Sequence, residues 1–352
     1  MTTVEPEPGQ RPRQRPRLGA GRLFGIVLAA LLNLALIAAI LWLGTHRDRV
    51  SDQFAVWNFT PTTAIADYAK RSTMTEEGRF LFYASRPSVA SGTDFDTACA
   101  THQEGVGILG CYLPADRSIH LFDVTDKRLD GLEDVVASHE MLHAAWDRMS
   151  EDERAKLAPL LEAEVTKRQD DTALAETLAF YATAEPGERL NELHSILGTE
   201  YSDLSPQLEA HYAEYFANRK AVTAMHDTSN AVFVEQAAQV TALVAQIDAL
   251  AAGIDTDYAA YNAGYDQLTA DVQSFNSRAE AGGFDSQAAF DEERQALISR
   301  QADLDALYDS IQARHDEYTG LVAQLDALNA QADLLNESIN IRPHGSTGVN
   351  PG

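Results

Sequence analysis

Positions 139 to 143 read His-Glu-Met-Leu-His. Residues four apart on a helix share a face, so His139 and His143 can present two ring nitrogens to one metal ion while the Glu140 carboxylate stands beside them. From Val135 to Trp146 these three are the only charged or titratable residues. A helix otherwise so apolar belongs in a core, where a charged group requires a partner or a metal.

The neighbouring segments must hold that helix in place. Asp130 and Glu133 have the spacing of a capping box, which predicts a helix start at Asp130 and puts the five residues mid-helix. Before it, GILGCYL (107–113), a turn at PADR and SIHLFDV (118–124) are rich in β-branched and aromatic residues and read as a β-hairpin. From Phe54 to about Arg86 the pattern is helical, with two segments opening on threonines and the second stopping before Pro87. Further helices run to about Lys220, broken at 185–188 and near 205–206. Val240, Leu243, Ile247, Leu250 and Ile254 continue to Phe275 at steps of three and four, a heptad seam. After the breaker AGGFDS (281–286) a matching seam runs from Phe290 to Ile339. Two such helices around one Gly-Gly turn predict an antiparallel hairpin about 70 Å long, with a parallel dimer the alternative because heptads alone do not fix orientation.

The order of strand and His-Glu-x-x-His helix resembles the zincin metallopeptidases over residues 105 to 200. The resemblance implies a zinc ion held by His139 and His143, with Glu140 as general base. Zinc lowers the pKa of its bound water to about 7 and polarises the scissile carbonyl. A third protein ligand is then needed, leaving the fourth position open. Trp146 and Met149 depart from the metzincin pattern. The gluzincin branch takes a glutamate from a later helix, and Asn191-Glu-Leu-His-Ser195 is similar to its Asn-Glu-x-x-Ser, which points to Glu192. Glu176, in the apolar AETLAFYA, and His194 are the rival ligands. Where that branch has an Asp after the Ser, this chain has Ile196, so the carboxylate behind a zinc histidine is either missing or replaced from elsewhere, with Glu188, Glu200 and His194 the candidates. His194, Tyr201, His211 and Tyr212 are candidate donors to an oxyanion.

Composition sets the compartment. Leu23 to Leu43 is uncharged for 21 residues, enough to cross a hydrocarbon core of about 30 Å as a helix. Arg11, Arg13, Arg15, Arg17 and Arg22 precede it, so the positive-inside rule predicts a cytoplasmic N-terminus. Setting aside the five basic and two acidic residues through Arg22 leaves 22 basic against 51 acidic, a formal charge of −29. Such a surface repels nucleic acid and anionic lipid. Cys99 and Cys111 both fall outside the membrane, where a disulfide persists. Only five of the 27 basic residues are Lys, a composition typical of a GC-rich bacterial genome.

The expected chain is therefore mainly α with a small β-hairpin or sheet. It has a basic cytoplasmic tail (1–21), a transmembrane helix (22–44), an extracytoplasmic zincin-like domain (45–228), a coiled-coil hairpin (229–341) and a disordered tail (342–352). The expected activity is zinc-dependent hydrolysis of a peptide or protein substrate at the cell envelope, with a further coiled-coil partner. The alternative is a non-catalytic envelope scaffold that works through the hairpin.

Overall fold

The computed structural model describes residues 2–3, 20–45, 47–100, 109–184 and 186–339. They fall into two compact units divided between Phe59 and Thr60. Most of the basic tail and all of residues 342–352 lie outside the described residues.

The first unit holds α1 (Ala20–Thr45) and α2 (Arg47–Asn58). At 1.5 Å per residue, α1 extends about 39 Å, longer than a hydrocarbon core of about 30 Å. Large apolar side chains along it, from Phe24 through Leu32 and Ile37 to Trp42, are exposed.

The second unit begins with α3 (Thr63–Arg71) and α4 (Glu76–Ala84). Each opens as its threonines predict: the Thr62 and Thr75 hydroxyls accept from the backbone N–H of Ile65 and Gly78, replacing partners that a first turn lacks. There follow β1 (Ser88–Ala90), α5 (Gly92–Ala98), β2 (Gly110–Leu113) and β3 (Ser118–Phe122). β2 and β3 form the expected antiparallel hairpin, with Cys111 opposite His120. β1 joins parallel to β3, making a three-stranded sheet of order β1-β3-β2. Sequence gave no sign of β1, because three residues are too few to show alternation. Cys99 and Cys111 are bonded, and the bridge ties the end of α5 to β2 in a cluster with Phe95 and Phe122.

At the centre lies α6 (Leu132–Arg148), whose Ala137, Met141, Leu142 and Ala144 are fully buried. It does not start at Asp130. Its N-cap is Gly131, at φ 98° and without a side-chain cap, a backbone shape that glycine adopts without steric cost. The two expected capping residues are taken by tertiary partners. Asp130 pairs with Arg71 at 2.8 Å, and Glu133 receives the Tyr68 hydroxyl at 2.7 Å.

Around α6 pack α7 (Glu151–Lys167), α8 (Thr172–Ala184), α9 (Arg189–Glu200) and α10 (Pro206–Tyr212). α9 crosses α6 and buries Leu193, Ile196 and Leu197. Its C-terminal carbonyls would otherwise lack donors. The buried Arg219 guanidinium serves Leu197, Gly198, Tyr201 and Ser202 and also pairs with Glu209.

Arg219 opens α11 (Arg219–Glu280), which turns at Gly282 and Gly283 into α12 (Gln287–Ser338). The two run antiparallel: Arg278 pairs with Glu293 near the turn, Asp271 with Arg300, Asp257 with Arg314, and Gln236 donates to the Leu328 carbonyl at the far end. The expected boundary at 228/229 falls inside α11, which at about 93 Å is longer than the expected hairpin. Leu335 and Ile339 of the returning helix pack on Leu129, just ahead of α6. Among the described residues α11 is long and apolar enough to cross a membrane by length and composition alone.

Candidate metal centre

The crossing of α6 and α9 builds the site. One turn apart on α6, the rings of His139 and His143 have centroids 4.7 Å apart. Glu192, on the face of α9 turned to α6, places Oε2 3.9 Å from His139 Nε2 and Oε1 3.6 Å from His143 Nε2. The three ligand atoms lie within 4.8 Å of one another. Both imidazole–carboxylate separations fall within the span of one ion with ligand bonds of about 2.0–2.1 Å.

Two further observations fit a metal. The Nε2 of His139 is buried with no hydrogen-bond partner, an arrangement that costs roughly 1–3 kcal/mol unless a ligand satisfies it. Burial, with His143 adding to it, holds the His139 pKa well below its usual value. The ring is then neutral, the form that binds metal.

Behind His143, Asn191 Oδ1 lies 3.0 Å from Nδ1 and Ser195 Oγ 3.3 Å from it. The Asn191 amide nitrogen donates to Glu188 Oε2 at 3.2 Å, which turns Oδ1 towards the ring. Since Oδ1 only accepts, Nδ1 carries the proton and Nε2 faces Glu192 with its lone pair. Asn191 and Ser195 were not among the groups expected there. They sit one residue before and three after Glu192, so the helix that delivers the carboxylate also orients the imidazole. Of the expected groups, Glu188 acts one step further back, through Asn191.

The His139/His143/Glu192 group could hold a metal ion. No protein family, curated protein or solved structure matches this chain. The zincin resemblance therefore stands on the sequence motif, with no relative or solved fold behind it.

A cleft of about 540 Å³ opens on His139 and Glu140. Val135 and Val136 of α6, Phe180 and Tyr181 of α8, and Leu109 with Gly110 at the start of β2 form its walls. Glu140 is buried and reaches the strand, where a Cβ on Gly110 would lie 2.7 Å from Glu140 Oε1 and 2.6 Å from Val136 Cγ1. Only glycine lets the strand come so close. The cleft continues past Glu200 and His226 into a second cavity of about 740 Å³.

The remaining candidates are distributed unevenly. Glu176 lines the cleft but is exposed on α8 and is not in the metal group. His194 is fully buried, with Nε2 2.9 Å from His211 Nε2 and its ring stacked on Tyr212. Tyr201 donates to Asp171 and Tyr212 to the His194 carbonyl, so neither is directed to the cleft. Glu200 does line it, 3.8 Å from His226 Nε2. Burial, and then the charges of Asp171 and Glu192, push its carboxyl up to about 7. His226 of α11 is the cleft residue that sequence reasoning missed. It reads as a lone histidine in a connecting helix, and only the fold brings it to the cleft that His139 lines.

Proposed function

We propose that this chain is a membrane-anchored, extracytoplasmic zinc peptidase of the zincin type. The observation that carries the reading is the convergence of His139, His143 and Glu192 at the edge of a cleft that His139 and Glu140 line. Two imidazoles and one carboxylate suit zinc and leave a position for water. Held there, zinc would supply Lewis-acid activation of the carbonyl and of a water.

The rest is done by the chain. Glu140, buried next to His139, takes a proton from the attacking water and returns it to the leaving nitrogen. Asn191 and Ser195 keep His143 in one tautomer and one orientation. The apolar walls formed by Val135, Val136 and Phe180 hold an uncharged side chain and exclude bulk water. His226 and Glu200 face the same cleft, and His226 supplies an N–H donor to the carbonyl oxygen as it becomes negative. α1 anchors the domain, with the arginines before it on the cytoplasmic side, and the Cys99–Cys111 bridge suits the oxidising space beyond.

A second reading, an envelope scaffold, is favoured by the length of the hairpin, which extends well past the domain. Replacing Glu140 by Gln separates the two. The peptidase reading expects hydrolysis of a quenched fluorescent peptide library by the full-length protein, abolished in E140Q with fold and bound metal kept. Equal hydrolysis by E140Q, or none by either protein, would favour the scaffold.

A further inference from the structure

Outside the cleft, the exposed side of α2 has no role in the reading above. Only His46 separates α1 from α2. α2 has two unlike sides. On one, Asp52 is 4% exposed and Ala55 and Val56 are partly buried. On the other, Val50, Phe54 and Trp57 follow at i, i+4 and i+7, with Phe54 56% and Trp57 69% exposed. The two rings meet edge to face at 5.3 Å, so they form one projecting aromatic unit. Large aromatics this exposed, next to each other on a short helix, form an apolar patch of the kind that marks an interaction surface.

We propose that the Phe54–Trp57 face of α2 is a membrane-docking surface, lying in the boundary between headgroups and acyl chains of the bilayer that α1 crosses. The proposal rests on the anchor reading of α1. A tryptophan suits that boundary, because its ring is apolar and its single N–H wants a polar neighbour. Arg47 and Arg49 are balanced by Asp48 and Asp52, so docking needs no anionic lipid. Geometry makes the claim sharp. Each interfacial layer is only about 5–7 Å thick, whereas α2 is about 18 Å long. Trp57, near its far end, lies in that layer only if α2 runs along the membrane. A helix continuing outward along the membrane normal would carry Trp57 into water.

The test uses the full-length chain in phosphatidylcholine vesicles, with Trp57 or Trp42 as the sole tryptophan and the others replaced by Phe. If W146F disturbs the fold, Trp146 is retained, since its buried ring gives a constant background. Docking predicts that Trp57 emission is blue-shifted, is quenched by lipids brominated near the headgroup and resists aqueous acrylamide, and that F54S weakens the lipid quenching. The proposal is overturned if acrylamide quenches Trp57 freely and brominated lipid does not, or if Trp57 resists both, which would place a protein against it. Trp42 separates the two readings. Lipid quenching of Trp42 alone leaves the anchor standing and removes the docking surface, whereas no lipid quenching of either removes both.

Discussion

Asn191→Ala tests whether α9 is organised around a metal. The variant removes the acceptor 3.0 Å from His143 Nδ1 and leaves Ser195 Oγ at 3.3 Å. Loss of one such partner behind a metal ligand costs about 10- to 100-fold in affinity, or roughly 1.4–2.7 kcal/mol. With Ser195 still in reach, the single variant should fall near the lower figure. Asn191→Ala with Ser195→Ala removes both side-chain acceptors and should approach the upper one. Stability should change little, because Asn191 is only half-buried and Ser→Ala deletes one atom. Competition against a chromophoric zinc chelator gives the affinity, and far-ultraviolet circular dichroism checks the helices. Wild-type affinity in the double variant would refute the reasoning, since His143 would then be oriented without α9.

Three other outcomes are expected. Gly110→Ala forces a Cβ within 2.7 Å of Glu140 Oε1; it should lower stability by about 1–3 kcal/mol and hydrolysis further, with metal content unchanged, and undiminished hydrolysis would contradict the placement of Glu140. Burial pushes the His211 pKa down to about 4, so between that value and the unfolded value of about 6.5 the unfolded chain binds the extra proton. Stability is then lost as pH falls through that window, by up to about 3 kcal/mol. Asp134 and Glu200, both raised to about 7, act in the opposite sense, so the comparison is with His211→Gln, whose urea midpoint should fall less from pH 7 to 4 than that of the wild type. Cysteines at Val240 and Leu325, near the Gln236–Leu328 contact, should crosslink within one chain; crosslinks only between chains would contradict the hairpin.

Much of this was legible because local chemistry and fold agree. Thr62 and Thr75 announce their helices, the seam from Val240 to Ile339 announces the hairpin, and the helical spacing of His139 and His143, joined by the resemblance that points to Glu192, anticipates a group that the fold assembles. Other features depend on partners distant in sequence. β1 is a strand only because β3 lies beside it. The start of α6 moves to Leu132 because Arg71 and Tyr68, from α3, claim Asp130 and Glu133. His226 reaches the cleft through the root of α11, which sequence alone does not place. Two signals could have been read further. Asn191 and Ser195 flank Glu192 on one helical face, and Gly110 in a strand marks a close backbone approach.

The peptidase proposal requires that His139, His143 and Glu192 together hold zinc. Its most direct test is elemental analysis of the purified full-length protein beside His139→Ala and Glu192→Ala, each exchanged against the same zinc buffer. The expected result is one zinc per wild-type chain and affinity lower by orders of magnitude in both variants, with helicity unchanged. Full zinc occupancy in both variants, or no zinc in the wild type, would contradict it.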